Sequence, residues 1–176
     1  MEYLDVCDEN GAQTGIKKTK KEAHDQGLWH RAAHVWIVNS KKEILLQKRS
    51  PNIDNFPNKW DISTAGHISA GETDIASAAR ETKEELGLDV KLEDFLHIGT
   101  VKEMSSRPGY INNEIDPVYV IRMDIDPKNI IKQKEEVSDV KYVKLAEFKD
   151  MVERKESSLV QHPEEYDLLI KHIDGN

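Results

Sequence analysis

The chain of 176 residues has about the length of one ordinary domain, and its hydrophobic fraction of 38% and charged fraction of 33% suit a chain that buries a real core in water. A formal net charge of −8 argues against general affinity for nucleic acid or for an anionic membrane surface, which leaves a small molecule as the expected partner. No apolar run is long enough to span a bilayer and no charged-then-apolar leader follows Met1, so a cytoplasmic protein is expected. The sole cysteine, Cys7, can form no internal disulfide and reads as a buried small hydrophobe.

In chain order, Tyr3 to Cys7 and Thr14 to Ile16 predict a leading hairpin around Asn10-Gly11, the favoured type I′ pair. Lys17 to Glu22 is a basic run that predicts a solvated helix, with anion contact as the alternative, and Gly27 ends it. Trp29 to Val38 enters a strand whose last part is nearly all apolar, as for a strand covered on both faces. A polar turn leads to its partner, Glu43 to Arg49, and a loop from Ser50 to Lys59 leads to a short strand over Trp60 to Thr64. Val90 to Leu92 and Leu96 to Val101 read as strands, and the polar stretch Lys102 to Asn113 as a mobile loop beside the site. Pro117 to Met123 and Val137 to Val143 are further strands; a helix opens at Leu145, and Pro163 starts a last one through Ile173. Strands around helices without a repeat or linker suit an α+β or three-layer class in a single domain over 1–176.

Gly66 to Leu88, GHISAGETDIASAARETKEELGL, carries the chemistry. At roughly 100° per residue, Glu81, Glu84 and Glu85 share one arc of a helix, while Ile75, Ala78, Ala79, Thr82 and Leu86 share another. Thr73 and Asp74 suit the first turn, and Gly87 stops the helix. Carboxylates crowded on one side raise one another's pKa unless a cation sits between them, and hard oxygen donors suit Mg²⁺ or Mn²⁺. Such a site does its best work on phosphate oxygens, where a metal ion neutralises charge and activates water.

Written out, Gly66, five residues, Glu72, seven residues, Arg80-Glu81, then Glu84-Glu85, Leu86, Gly87 and Leu88 resemble the signature of the Nudix hydrolase superfamily. Thr82 stands where the family usually has an aliphatic residue. The resemblance implies the Nudix fold, an α/β/α sandwich around a mixed sheet, over about 33–154, with an N-terminal extension over 1–32 and a C-terminal helix over about 163–173. It implies a metal-dependent hydrolase cleaving a diphosphate linkage in a nucleoside diphosphate derivative, with Glu81, Glu84 and Glu85 as metal ligands and Gly66 as a weaker one through its carbonyl. Arg80 would brace the carboxylates and Glu72 would complete or stabilise the cluster. A general base can lie outside the helix, with Glu114, Glu135 and Glu136 as candidates; Arg49 and His67 are candidates for substrate contact. A homodimer stays open.

His24, the run LWHRAAHVWIVN, LLQKRS, Ala65-Gly66-His67 and NEIDPV resemble more closely the branch containing isopentenyl-diphosphate isomerase. In that branch a cysteine precedes the Gly-His pair and a glutamate stands where this chain has Asn112; here Ala65 replaces the cysteine. His24, His30 and His67 match, which leaves a second metal site open.

Overall fold

The computed structural model describes residues 2–175; Met1 and Asn176, the outer bounds of the expected domain, lie outside them. Tyr3–Cys7 (β1) and Gln13–Thr19 (β2) pair antiparallel in a sheet of their own. The expected type I′ turn is corrected: of Asn10 and Gly11 only Gly11 has a positive φ, and the Asp8 carboxylate accepts the amides of Asn10 and Ala12 at 2.8 and 2.9 Å. The carboxylate organises the loop in place of the paired left-handed residues. The helix expected over Lys17–Glu22 begins later, as α1 (Lys20–Gln26), because Thr19 and Glu22 form a capping box that fixes the start, and Lys17 and Lys18 belong to β2.

Seven further strands follow: β3 (His30–Val38), β4 (Glu43–Arg49), β5 (Trp60–Asp61), β6 (Thr64–His67), β7 (Leu96–Arg107), β8 (Tyr110–Arg122) and β9 (Val137–Lys144). They form one mixed sheet in the order β5-β4-β3-β8-β7, with β6 also on β3 and β9 also on β4. The β3–β8 pair is parallel and the others antiparallel. Along β3 the side chains alternate between two cores. Ala33, Val35 and Ile37 pack with Ala78 and Leu86 of α2 (Asp74–Leu86). Trp36 and Val38 pack with Phe148 of α3 (Leu145–Glu153) and with Tyr166 and Leu169 of α4 (Pro163–Asp174). Each large side chain fully removed from water adds about 1.5–3 kcal/mol, and this division produces the α/β/α layers.

Three expectations are corrected. Lys102–Asn113 is the outer part of the β7–β8 hairpin, paired Met104 with Asn113 and Arg107 with Tyr110 around Pro108-Gly109. Its composition reads as loop because much of the β7 tip is exposed, Met104 at 70%, so no apolar alternation marks it. Val90–Leu92 joins no strand ladder, and a 3₁₀ turn over Leu92–Asp94 follows. Trp60–Thr64 is divided between β5 on β4 and β6 on β3. Ser63 lies between, accepting the Ile37 amide at 2.8 Å and donating to the Leu45 carbonyl at 2.5 Å, so its hydroxyl replaces a ladder bond where β3 and β4 part. Cys7 is buried, as expected.

Candidate active site and metal centres

Helix α2 starts at Thr73, whose hydroxyl accepts the Ala76 amide, and ends at Gly87 with φ +67°. Between these caps Thr82 is buried and donates to the Ala78 carbonyl at 2.7 Å, so the residue that departs from the usual aliphatic one still packs inward. Its other face turns Arg80, Glu81, Glu84 and Glu85 to a cavity of about 880 Å³, which Arg49, Gly66, His67, Glu114 and Glu136 also line. Arg80 is the hub. Its guanidinium donates to Glu81 at 2.6 Å, Glu84 at 3.2 Å, Glu72 at 3.0 Å, Ser77 at 2.9 Å and the His67 carbonyl at 3.1 Å. Glu72 also accepts from the Ser77 hydroxyl at 2.7 Å, so both its oxygens face the brace.

Burial raises the Glu81 pKa, opposed by Arg80 and helped by Glu84 and Glu136. Burial raises that of Glu85 further, with the Glu81 and Glu136 carboxylates adding to it. A divalent cation among them would reverse both shifts, and the all-oxygen donor set fits Mg²⁺ or Mn²⁺. Gly66 forms the opposite wall: a Cβ built on it would overlap the Glu81 carboxyl, with Cγ 2.6 Å away. Among the expected bases Glu136 lines the cavity and Glu135 does not. Arg49 is held by the Asp61 carboxylate and the Asn55 carbonyl, each at 2.9 Å.

Glu114 belongs to a different group. Its Oε1 lies 3.3 Å from His30 Nε2 and 3.2 Å from His67 Nε2, and Asn112 donates to its other oxygen. Burial alone would raise its pKa, but His30 and His67 hold it well below the usual carboxylate range, which makes it a weak base. His24 Nε2 is 3.3 Å from His67 Nε2, and one ring nitrogen of each of His24, His30 and His67 lies within 4.8 Å of the others. Carbonyls orient the rings: His24 Nδ1 donates to Ile111 at 3.2 Å and His30 Nδ1 to Leu28 at 2.8 Å, so both Nε2 atoms turn inward. Burial, and then His30 and His67, push the His24 pKa down to about 4, the neutral form a ligand needs. Three imidazoles and a carboxylate from α1, β3, β6 and β8 can hold a divalent ion. His67 joins the two groups, its ring in one and its carbonyl on Arg80.

Sequence reasoning missed a third set of polar residues. His162 spans Glu103 at 3.0 Å and Asp61 at 2.9 Å, while Glu165 accepts from His34 at 2.8 Å and Trp36 at 2.7 Å. His34 and Asp116 interrupt apolar strands, a signal readable in the sequence; Asp61, His162 and Glu165 carry none.

A family model described as NUDIX domain matches residues 28–162. The chain belongs to the Nudix family. Nudix hydrolase 3 of Arabidopsis thaliana is 41% identical over 166 residues, 92% of this chain, although the chain spans only 22% of that protein's length. The isopentenyl-diphosphate Delta-isomerase of Streptomyces griseus is 32% identical over 146 residues, covering 82% of this chain and 72% of that one. A solved structure of a Deinococcus radiodurans protein is similar with a TM-score of 0.69 at 19% identity, over 97% of this chain and 98% of that one, which shows the shared fold. Nudix enzymes act on diphosphate-containing small molecules, and divalent ions are general in the family. Among the described residues no helix is long and apolar enough to cross a membrane.

Proposed function

We propose that this Nudix enzyme requires Mg²⁺ or Mn²⁺ and cleaves the diphosphate linkage of a nucleoside diphosphate derivative or a similar small molecule. The observation that carries the reading is the carboxylate fan of Glu81, Glu84 and Glu85, aimed into one cavity, with Glu81 and Glu84 held by the Arg80 guanidinium and Glu85 by the Gln47 amide. These three residues would hold the ion, with the Gly66 carbonyl beside them; when bound, the ion neutralises phosphate charge and makes water more acidic. Arg80 keeps Glu81 and Glu84 in register, and Glu72 with Ser77 keeps Arg80 in place. Glu136 accepts the proton from the attacking water, since Glu114 is engaged by two histidines. The chain works as a single domain on a small molecule. Release of phosphate or monophosphate from a panel of nucleoside diphosphates, nucleotide sugars, dinucleotides and coenzyme A derivatives, with and without Mg²⁺ or Mn²⁺, tests the reading; no metal-dependent release from any of them refutes it.

The histidine cluster with Glu114, and the likeness to an isomerase, favour a second reading as an isopentenyl-diphosphate isomerase. Chemistry at Ala65 opposes it. Moving a double bond needs groups that exchange protons with carbon, and a methyl group exchanges none. Incubation with isopentenyl diphosphate in deuterated water is expected to give neither the isomer nor deuterium on carbon, and clear turnover would replace the hydrolase reading.

A further inference from the structure

Three side chains outside both groups described above converge on one point. His34 of β3, Glu103 of β7 and Asp116 of β8 each place a ligand atom within 4.8 Å of the other two. Asp116 is fully buried, and neither of its carboxylate oxygens accepts a hydrogen bond from any described residue; His34 Nε2 approaches only to 4.0 Å. Its neighbours have spent their donors elsewhere. His34 gives Nδ1–H to Glu165, His162 gives its two N–H groups to Glu103 and Asp61, and Arg49 gives Nη1–H to Asp61. A buried carboxylate without a donor is unfavourable; among the described residues only the charged His34 ring approaches it, at 4.0 Å and too far for a hydrogen bond, and a metal ion would be a closer partner.

We propose that His34, Glu103 and Asp116 form a binding site for a transition-metal dication, Zn²⁺ or Mn²⁺, separate from the box carboxylates and from the His24–His30–His67 group. The Nδ1–H bond to Glu165 orients the His34 ring and leaves Nε2 for the ion, the usual arrangement of a carboxylate behind a metal-binding histidine. Glu103 holds His162 through Oε2 and keeps Oε1 for the ion. One imidazole and two carboxylates favour zinc or manganese over magnesium or calcium. Two bonds of about 2.1 Å span at most about 4.2 Å, so the three ligands need only draw in slightly. The proton on His34 Nε2 leaves as the ion binds. His34 and Glu103 line the main cavity, so a remaining coordination position faces it and takes water or a substrate oxygen.

Crystals of the full chain soaked in Zn²⁺ or Mn²⁺ test this by anomalous scattering. The expected result is a peak bounded by His34 Nε2, Glu103 and Asp116. In solution, Asp116→Asn should bind one Zn²⁺ fewer per chain than the parent, or bind it at least about tenfold more weakly. Glu103→Gln, at a partly exposed side chain, should do the same and serves if Asp116→Asn does not fold. No peak at this point, whatever the other two groups bind, overturns the proposal. So does unchanged Zn²⁺ stoichiometry and affinity in a folded variant. Neither result depends on hydrolysis.

Discussion

Gly66→Ala isolates the contact between β6 and the box helix. The added Cβ would sit 2.6 Å from Glu81 Cγ and closer still to the carboxyl carbon, where carbon atoms rest about 3.5–4.0 Å apart. Neither side can yield freely: Gly66 is paired with Ala33 in the sheet, and Glu81 is held by Arg80 at 2.6 Å. The φ of Gly66 lies outside the left-handed region, so the collision alone is responsible. Forcing a methyl group into such a site costs about 1–3 kcal/mol, which for a chain of this size lowers Tm by about 2–12 °C. The effect on turnover should be larger than the effect on stability. The carboxyl must retreat by about 1 Å, and misplacement on that scale can cost about a hundredfold in rate. Steady-state hydrolysis of the best panel substrate across a Mg²⁺ titration, beside a thermal melt, measures both. A folded variant with the parent kcat and the parent Mg²⁺ dependence refutes the placement of Glu81 against Gly66 at the working site.

Glu84→Gln and Glu85→Gln should each lose orders of magnitude in kcat with the fold retained by circular dichroism; near-parent rates in both would remove the metal assignment. Glu136→Gln should lower kcat with little change in KM and flatten the acid limb of the pH profile, whereas Glu114→Gln should keep that limb; the reverse pattern makes Glu114 the base. Asp61 is buried, and hydrogen bonding and charge from His162, then Arg49, outweigh that burial and hold its pKa at about 2. Its stabilising contribution is therefore present above the ordinary carboxylate pKa and lost as pH falls through about 2; Asp61→Asn should cost about 2 kcal/mol in urea unfolding at pH 7, with the difference vanishing near pH 2. An equal difference at both pH values would show that packing, not the ion pair, is responsible.

The residues that a short stretch of backbone can bring together were legible in the sequence. Helical periodicity alone gathers Glu81, Glu84 and Glu85 on one face of α2 and sends Ala78 and Leu86 to the core, and Gly87 ends the helix through its own left-handed backbone. The two-sided burial of β3 was visible in its apolar run for the same local reason. Tertiary structure decided what depends on distant partners. Lys102–Asn113 became a hairpin because cross-strand bonds fix an exposed ladder that leaves no hydrophobic pattern. His24 reached His67 across 43 positions of chain, and Glu114 turned to histidines instead of the box. Asp61 met His162 across 101 positions. Local spacing determines which side chains share a face of one element; which elements face one another, and which charges are buried together, follows from how the layers pack.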